Sequence, residues 1–302
     1  MDPCNIDWNE VWKGTLERQL KSNKNVDCSS IWQNKERARR FWKMFQDNNA
    51  RVITEKRIKG MKLSSDSRVL DIGSGPGTLA IPIAQQVAHV TAVEPSEGMM
   101  NIMLENIKEY EIENIDCVHK DWEAVDVESD LSAPYDVVFA SYSLGMKDIR
   151  TSVQKMIDAS SRYIYLYWFA GETSWDAHSR RLWPFLHGCE YQPAPKCDVL
   201  YNVLYNMGIY PNVEVFPFEH VHRYSTFEEA VEDFKSYYNV TSSTQEPILR
   251  NYLKSILKVD NGNLIQKGWS TRVKMWWEKQ TEDIRGLNEP IFPLENKRFC
   301  QA

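Results

Sequence analysis

The 302-residue sequence predicts an α/β fold built on a doubly wound sheet, with a helical N-terminal segment and a helical insert toward the other end. Three observations predict it. Short apolar runs alternate with segments of helical period from residue 68 to residue 169, the signature of parallel strands joined by crossover helices. A glycine-rich run, Asp71-Ile-Gly-Ser-Gly-Pro-Gly77, stands between the first strand and the first crossover helix. Residues 1–63 and about 226–258 carry helical patterns with no strand among them.

The elements follow in order. In the N-terminal segment, Ser29 and Ser30 stand as caps before Ile31, Ala38, Trp42 and Phe45, which share one helical face. Arg68–Ile72 reads as a strand, and Thr78–Ala84 as a helix that tolerates Pro82 near its start, where first-turn N–H groups have no intrahelical partner. His89–Val93 is a strand, Gly98–Tyr110 a helix and Ile115–His119 a strand. Tyr135–Ala140 is a strand, Ile149–Ala159 a helix and Tyr163–Phe169 a strand. A stretch punctuated by Trp and Pro follows. Beyond it come a helix at Asp198–Met207, a strand at Val213–Tyr224 and helices at Phe227–Tyr238 and Glu246–Lys258. Thr226, Glu228 and Glu229 mark the start of the first of these two helices. A strand pair, Asn263–Gly268 and Thr271–Trp277, ends the pattern, and the tail GLNEPIFPLENKRFCQA receives no assignment.

Composition, 42% hydrophobic and 26% charged, is that of a globular protein. No apolar stretch approaches the ~18 residues that span a bilayer, and the acidic N-terminus MDPCNIDWNEVW lacks the pattern of a secretory signal. A soluble, cytoplasmic protein with no membrane contact is expected. The net charge of −6 argues against a general nucleic-acid binder. That charge is uneven: residues 35–62 hold ten Lys/Arg against three acids, a local +7 on a body of −13. Such a stretch is either a solvated helix surface or a docking site for an anion. The six cysteines form no C-x-x-C pair and read as reduced thiols. His187, Cys189, Cys197, His220 and His222 have zinc-ligand chemistry, but their spacings are common by chance, so no metal is assigned.

The glycine run lies where a helix N-terminus and closely approaching backbone face a nucleotide-like ligand. Asp71, two residues before Gly73, disfavours a pyrophosphate and suits an ammonium group, and the position where a dinucleotide fingerprint needs Gly or Ala is Thr78. Glu94 ends the second strand, where a carboxylate can accept from both ribose hydroxyls; Asp121-Trp122 follows the third, where a carboxylate and an indole suit adenine. An amino acid, a ribose and an adenine in that order describe S-adenosylmethionine.

These residues resemble the class I S-adenosylmethionine-dependent methyltransferases through VLDIGSGPG, AVEPS, KDWEAVD and YDVVFASYSL, over about residues 64–172. The resemblance implies a Rossmann-like, mostly parallel sheet, with NLIQKGWSTRVKMWWEK as its antiparallel edge strand. It divides the chain into a helical cover, 1–63, and a cofactor-binding methyltransferase domain, 64–302, with its helical insert. It implies that Gly73, Gly75 and the neighbourhood of Asp71 hold the methionine moiety, that Glu94 binds ribose, that Met99 packs near adenine and Asp121 and Trp122 read it, and that Gly77, Pro95 and Ser96 also belong to the cofactor site. Ala140 and Ser141 would line the methyl-transfer side. Where the amino-methylating branch carries Asn/Asp-Pro-Pro-Tyr, this chain reads Ser141-Tyr-Ser-Leu144, which disfavours adenine-N6 and glutamine methylation.

Methyl transfer from a sulfonium needs alignment and, for a protonated acceptor, a base. Tyr142 and His178 are the acid/base candidates, with Trp168 and Glu172 as further acceptor-pocket residues and Trp32 and Trp42 as parts of the cover. A small organic acceptor is the expected partner. The alternatives are a protein or RNA acceptor guided by the basic stretch, or a cofactor-binding protein without catalysis. The sequence is silent on oligomeric state.

Overall fold

The computed structural model describes residues 6–23, 28–46 and 48–279. Cys4, Cys300 and the closing tail lie outside the described residues.

Five parallel strands form one half of the sheet: β1 (Arg68–Ile72), β2 (His89–Val93), β3 (Ile115–Val118), β4 (Tyr135–Ser141) and β5 (Ser160–Ala170). β8 (Asn263–Glu278) pairs antiparallel with β5 and with β6 (Asn212–Tyr224), and the short β7 (Lys258–Asp260) pairs with the first residues of β8. The order is β3-β2-β1-β4-β5-β8-β6, so the mostly parallel sheet with an antiparallel edge is present, but that edge is β6: β8, the strand expected there, lies inside the sheet because β6 pairs along its other side.

Period-two alternation sends the strand side chains to two cores. Val138, Ala140, Ile164, Leu166, Val273 and Met275 pack toward α1 (Trp8–Ser22), α6 (Ile149–Ala159) and α8 (Cys197–Asn206). On the other face, Val137, Phe139 and the row Tyr163, Tyr165 and Tyr167 meet α4 (Ala80–Ala84), α5 (Glu97–Glu109) and the end of α3 (Asn48–Lys59). A third cluster is the insert: α7 (Ser174–His187), α9 (Phe227–Tyr237) and α10 (Glu246–Ile256), closed by Tyr224 of β6.

Three elements differ from expectation. The cap of α2 (Lys35–Phe45) is Asn34, which accepts from the Arg37 N–H at 3.0 Å. Ser29 and Ser30 instead fall in a 3-10 turn, Cys28–Gln33, which brings the Gln33 amide oxygen to the Glu97 N–H at the start of α5. The Trp- and Pro-rich stretch contains α7, which begins at a capping box of Thr173 and Asp176. β8 is continuous where a strand pair was expected, because Gly268 marks a close approach and not a break: a Cβ there would stand 2.2 Å from His220 Nε2.

The N-terminal helices lie over the β1–β5 half and reach the insert. α2 packs on α5 through Ala38, Met99 and Ile102. Its buried Arg37 donates to the Asp233 carbonyl of α9 at 2.7 Å and to its carboxylate at 3.2 Å, and Tyr224 Oη donates to the same carboxylate at 3.0 Å.

Candidate functional site

The carboxyl ends of β1, β2 and β4 bring Asp71, Glu94, Ala140 and Ser141 to one edge of the sheet, where ligands of open α/β sheets bind. β1 delivers the chain into the glycine loop. There the Gly73 and Ser74 N–H groups both donate to the Val93 carbonyl, at 2.8 and 3.1 Å, and the Gly77 N–H donates back to Ser74. The loop is further fixed by Ser143, whose hydroxyl donates to the Ile72 carbonyl at 2.5 Å.

Glu94 ties loop and strand together. Its Oε2 accepts from the Gly75 N–H at 2.8 Å and its Oε1 from the Ser96 N–H at 2.9 Å. Burial pushes the Glu94 carboxyl above its ordinary range, and these backbone donors pull against that shift. Asp71 is 2% exposed, and burial, with the neighbouring Glu94 carboxylate, raises its pKa well above the usual range against the attraction of Arg57. An ammonium placed beside it would offset that burial cost and hold the carboxylate in its charged form.

Room for a ligand exists beside these groups. Gly75 has a φ of +57°, and no atom lies within 4 Å of where its Cβ would stand. A residue with a side chain would be strained in this conformation and would fill that space. Tyr142, at the end of β4, has a φ of +60°, an unfavourable conformation for a bulky residue of the kind that clusters at functional sites. Its N–H donates to the Tyr167 carbonyl at 3.1 Å, while the Tyr142 and Tyr167 hydroxyls are both buried without a hydrogen-bond partner. From above, Arg57 of α3 donates to Ser141 Oγ at 3.2 Å.

Residues 69–162 match the family model described as "Methyltransferase domain". That match runs from β1 into the first residues of β5, the part of the sheet that carries the glycine loop and Glu94. An uncharacterized protein of Haemophilus influenzae is 32% identical over 109 residues, 36% of this chain and 40% of that protein. Ribosomal RNA small subunit methyltransferase A of Desulforapulum autotrophicum is 36% identical over 74 residues, 24% of this chain and 25% of that one. The chain thus spans less than half the length of either relative. Among solved structures, a Bacillus halodurans protein is 16% identical with a TM-score of 0.53, covering 76% of this chain and 99% of that one. YcgJ of Bacillus subtilis is 15% identical with a TM-score of 0.52, covering 76% and 98%. These two likenesses concern the fold.

The other expected site residues take the following positions. Met99 is 4% exposed and packs under α2 with Ala38 and Ile102. Trp122 is 3% exposed in the core on the α6 side, its Nε1 donating to the Ser152 carbonyl at 3.2 Å, so its indole serves the core and offers no face for adenine. Asp121 is exposed at the end of β3, where its carboxylate accepts from the Glu123 N–H. The Pro95 carbonyl is 3.1 Å from His119 Nε2.

The acid/base candidates also separate. Tyr142 stands at the edge, but burial raises its phenol pKa, which makes it a poor base. His178 lies on α7, with Nδ1 2.6 Å from the Tyr252 hydroxyl of α10, inside the insert. Burial lowers its pKa. Trp168 donates from Nε1 to the Pro195 carbonyl at 2.8 Å in the core, and Glu172 pairs with Arg180 on the surface. Trp32 packs edge-on against Phe41, and Trp42 against Tyr110 at the end of α5. Among the described residues, no group of three or more His, Cys, Asp or Glu could hold a metal ion.

Sequence reasoning passed over Arg57, counted only in a charge total, and Arg272 of β8. The legible signal for Arg272 was polarity at alternate positions, Arg272 and Lys274, in a strand otherwise rich in apolar residues.

Proposed function

We propose that this chain is an S-adenosylmethionine-dependent methyltransferase acting on a small organic acceptor. The observation that carries it is the joining of Glu94 to the glycine loop through the Gly75 N–H, beside buried Asp71 and the open space at Gly75. This donor set fits the cofactor: Asp71 suits its ammonium, Glu94 retains lone pairs for ribose hydroxyls, and Gly75 leaves room for the chain between them. When bound, the cofactor supplies an activated methyl group. The protein then binds, orients and shields from water. With Tyr142 raised and His178 in the insert, the site edge favours an acceptor that reaches it already deprotonated.

The basic segment supports a small acceptor over RNA. Lys35 and Arg39 pair with Glu105, Arg37 and Arg40 pair with Asp233, and Arg57 turns inward, so half of the ten basic residues already have partners within the chain. The likeness to a ribosomal RNA methyltransferase keeps the macromolecular acceptor as the second reading. Incubation with methyl-labelled cofactor and a pool of small metabolites is expected to transfer label to small molecules. Label confined to RNA or protein would reverse the choice.

A further inference from the structure

We propose that the methyl acceptor carries a carboxylate, held between Arg57 of α3 and Arg272 of β8 beside Tyr142; this rests on the methyltransferase reading and names its substrate class. Both arginines are 8% exposed. Their guanidinium carbons lie 5.7 and 4.5 Å from the centre of the Tyr142 ring, so the two cations flank one aromatic side chain. Neither forms an ion pair with a carboxylate among the described residues; Arg57 donates to Ser141 Oγ and Arg272 Nε to Ser270 Oγ at 3.3 Å. Arg57 Nε is buried with no partner, as are the Tyr142 and Tyr167 hydroxyls.

Buried cations of this kind are strongly destabilising unless an anion joins them. Burial lowers the pKa of Arg57, and that of Arg272 to about 10, with Arg57 itself among the groups that push Arg272 down. Among the described residues, Asp71 is the carboxyl that attracts Arg57, and it is itself held toward its neutral form.

The geometry selects a planar anion. The Arg272 guanidinium carbon lies 3.2 Å from the centre of the Phe218 ring and 4.5 Å from that of Tyr142, and with its Nε on Ser270 Oγ its terminal N–H groups are the ones left to meet a ligand. A guanidinium edge matches the two oxygens of a carboxylate. The cofactor has a carboxylate of its own, but β8 is three strands from β1 in the sheet, roughly 14 Å at ordinary strand spacing. The anion at Arg272 therefore belongs to the acceptor.

The test is calorimetric titration of the full chain, first with S-adenosylhomocysteine and then, on the saturated protein, with acetate, butyrate and benzoate, each against its amide. The expected result is that at least one acid binds tenfold or more tightly than its amide. Arg272→Gln, and separately Arg57→Gln, should abolish that preference, with the affinity for S-adenosylhomocysteine changed less than threefold in Arg272→Gln. Melting curves identify a variant that fails to fold, and the wild-type comparison stands without either variant. Absence of S-adenosylhomocysteine binding would overturn the methyltransferase reading itself. Its binding with no acid preference would overturn this proposal alone. An Arg272→Gln loss of S-adenosylhomocysteine affinity equal to the loss for the acid would assign the carboxylate to the cofactor and overturn it too.

Discussion

Glu94 Oε2 accepts from the Gly75 backbone N–H at 2.8 Å, which fastens the end of β2 to the glycine loop. Glu94→Ala would leave the Gly75 and Ser96 N–H groups without their charged acceptor and remove the proposed ribose partner. Charge-assisted hydrogen bonds contribute about 1.5–3 kcal/mol, so affinity for S-adenosylhomocysteine should fall roughly ten- to hundredfold. Calorimetry checks this, and an unchanged affinity would remove Glu94 from the site.

Asp71 gives a prediction with opposite signs for stability and binding. Its folded pKa lies above its unfolded value of 3.8, so between the two the folded state holds more protons, and stability falls as pH rises through that window. Asp71→Asn removes this loss. The variant should melt higher than wild type at neutral pH and show no such advantage below pH 3.8, yet bind S-adenosylmethionine more weakly. Paired melting and titration experiments measure both; a lower melting point at neutral pH would contradict the electrostatic account.

Histidines set the acid limit. His220 is pushed down to about 4 by burial, and burial also lowers His178 and His222. Their unfolded forms bind protons first, so stability should decline as pH falls from about 6.5 toward 4. His220→Phe should flatten that part of the profile in pH-dependent chemical denaturation, and an unaltered slope would argue against it.

Arg37 of α2 and Asp233 of α9 join the N-terminal helices to the third helical cluster across 196 positions of sequence. Removing one partner of a buried pair typically costs about 3–5 kcal/mol. Arg37→Ala should lose stability of that order and speed proteolysis within α2, measured by urea denaturation and limited digestion. A loss below about 1 kcal/mol, the range of an exposed pair, would show that the link is not a structural one.

Much of this architecture was legible in the chain. β1, β2, α6 and β6 fall within a residue of where periodicity placed them, because each is bounded by a turn or polar residue that no tertiary contact overrides. The glycine loop and Glu94 were visible for the same reason: a strand, tight glycines and a strand-end acid are local features. Trp122 was misread because an indole beside a sheet edge serves either a ligand or the core, and only the partner at Ser152 decides. Arg57 and Arg272 meet across more than 200 positions, and no local pattern encodes that meeting. His178 drew attention by residue type alone; its partner, Tyr252, lies 74 positions away in the insert.

The central claim is that the edge formed by Asp71, Gly75 and Glu94 holds S-adenosylmethionine. Calorimetric titration of the folded full chain with S-adenosylhomocysteine tests it most directly. The account predicts saturable one-to-one binding that is weakened in Glu94→Ala; absence of binding by protein shown to be folded would contradict it.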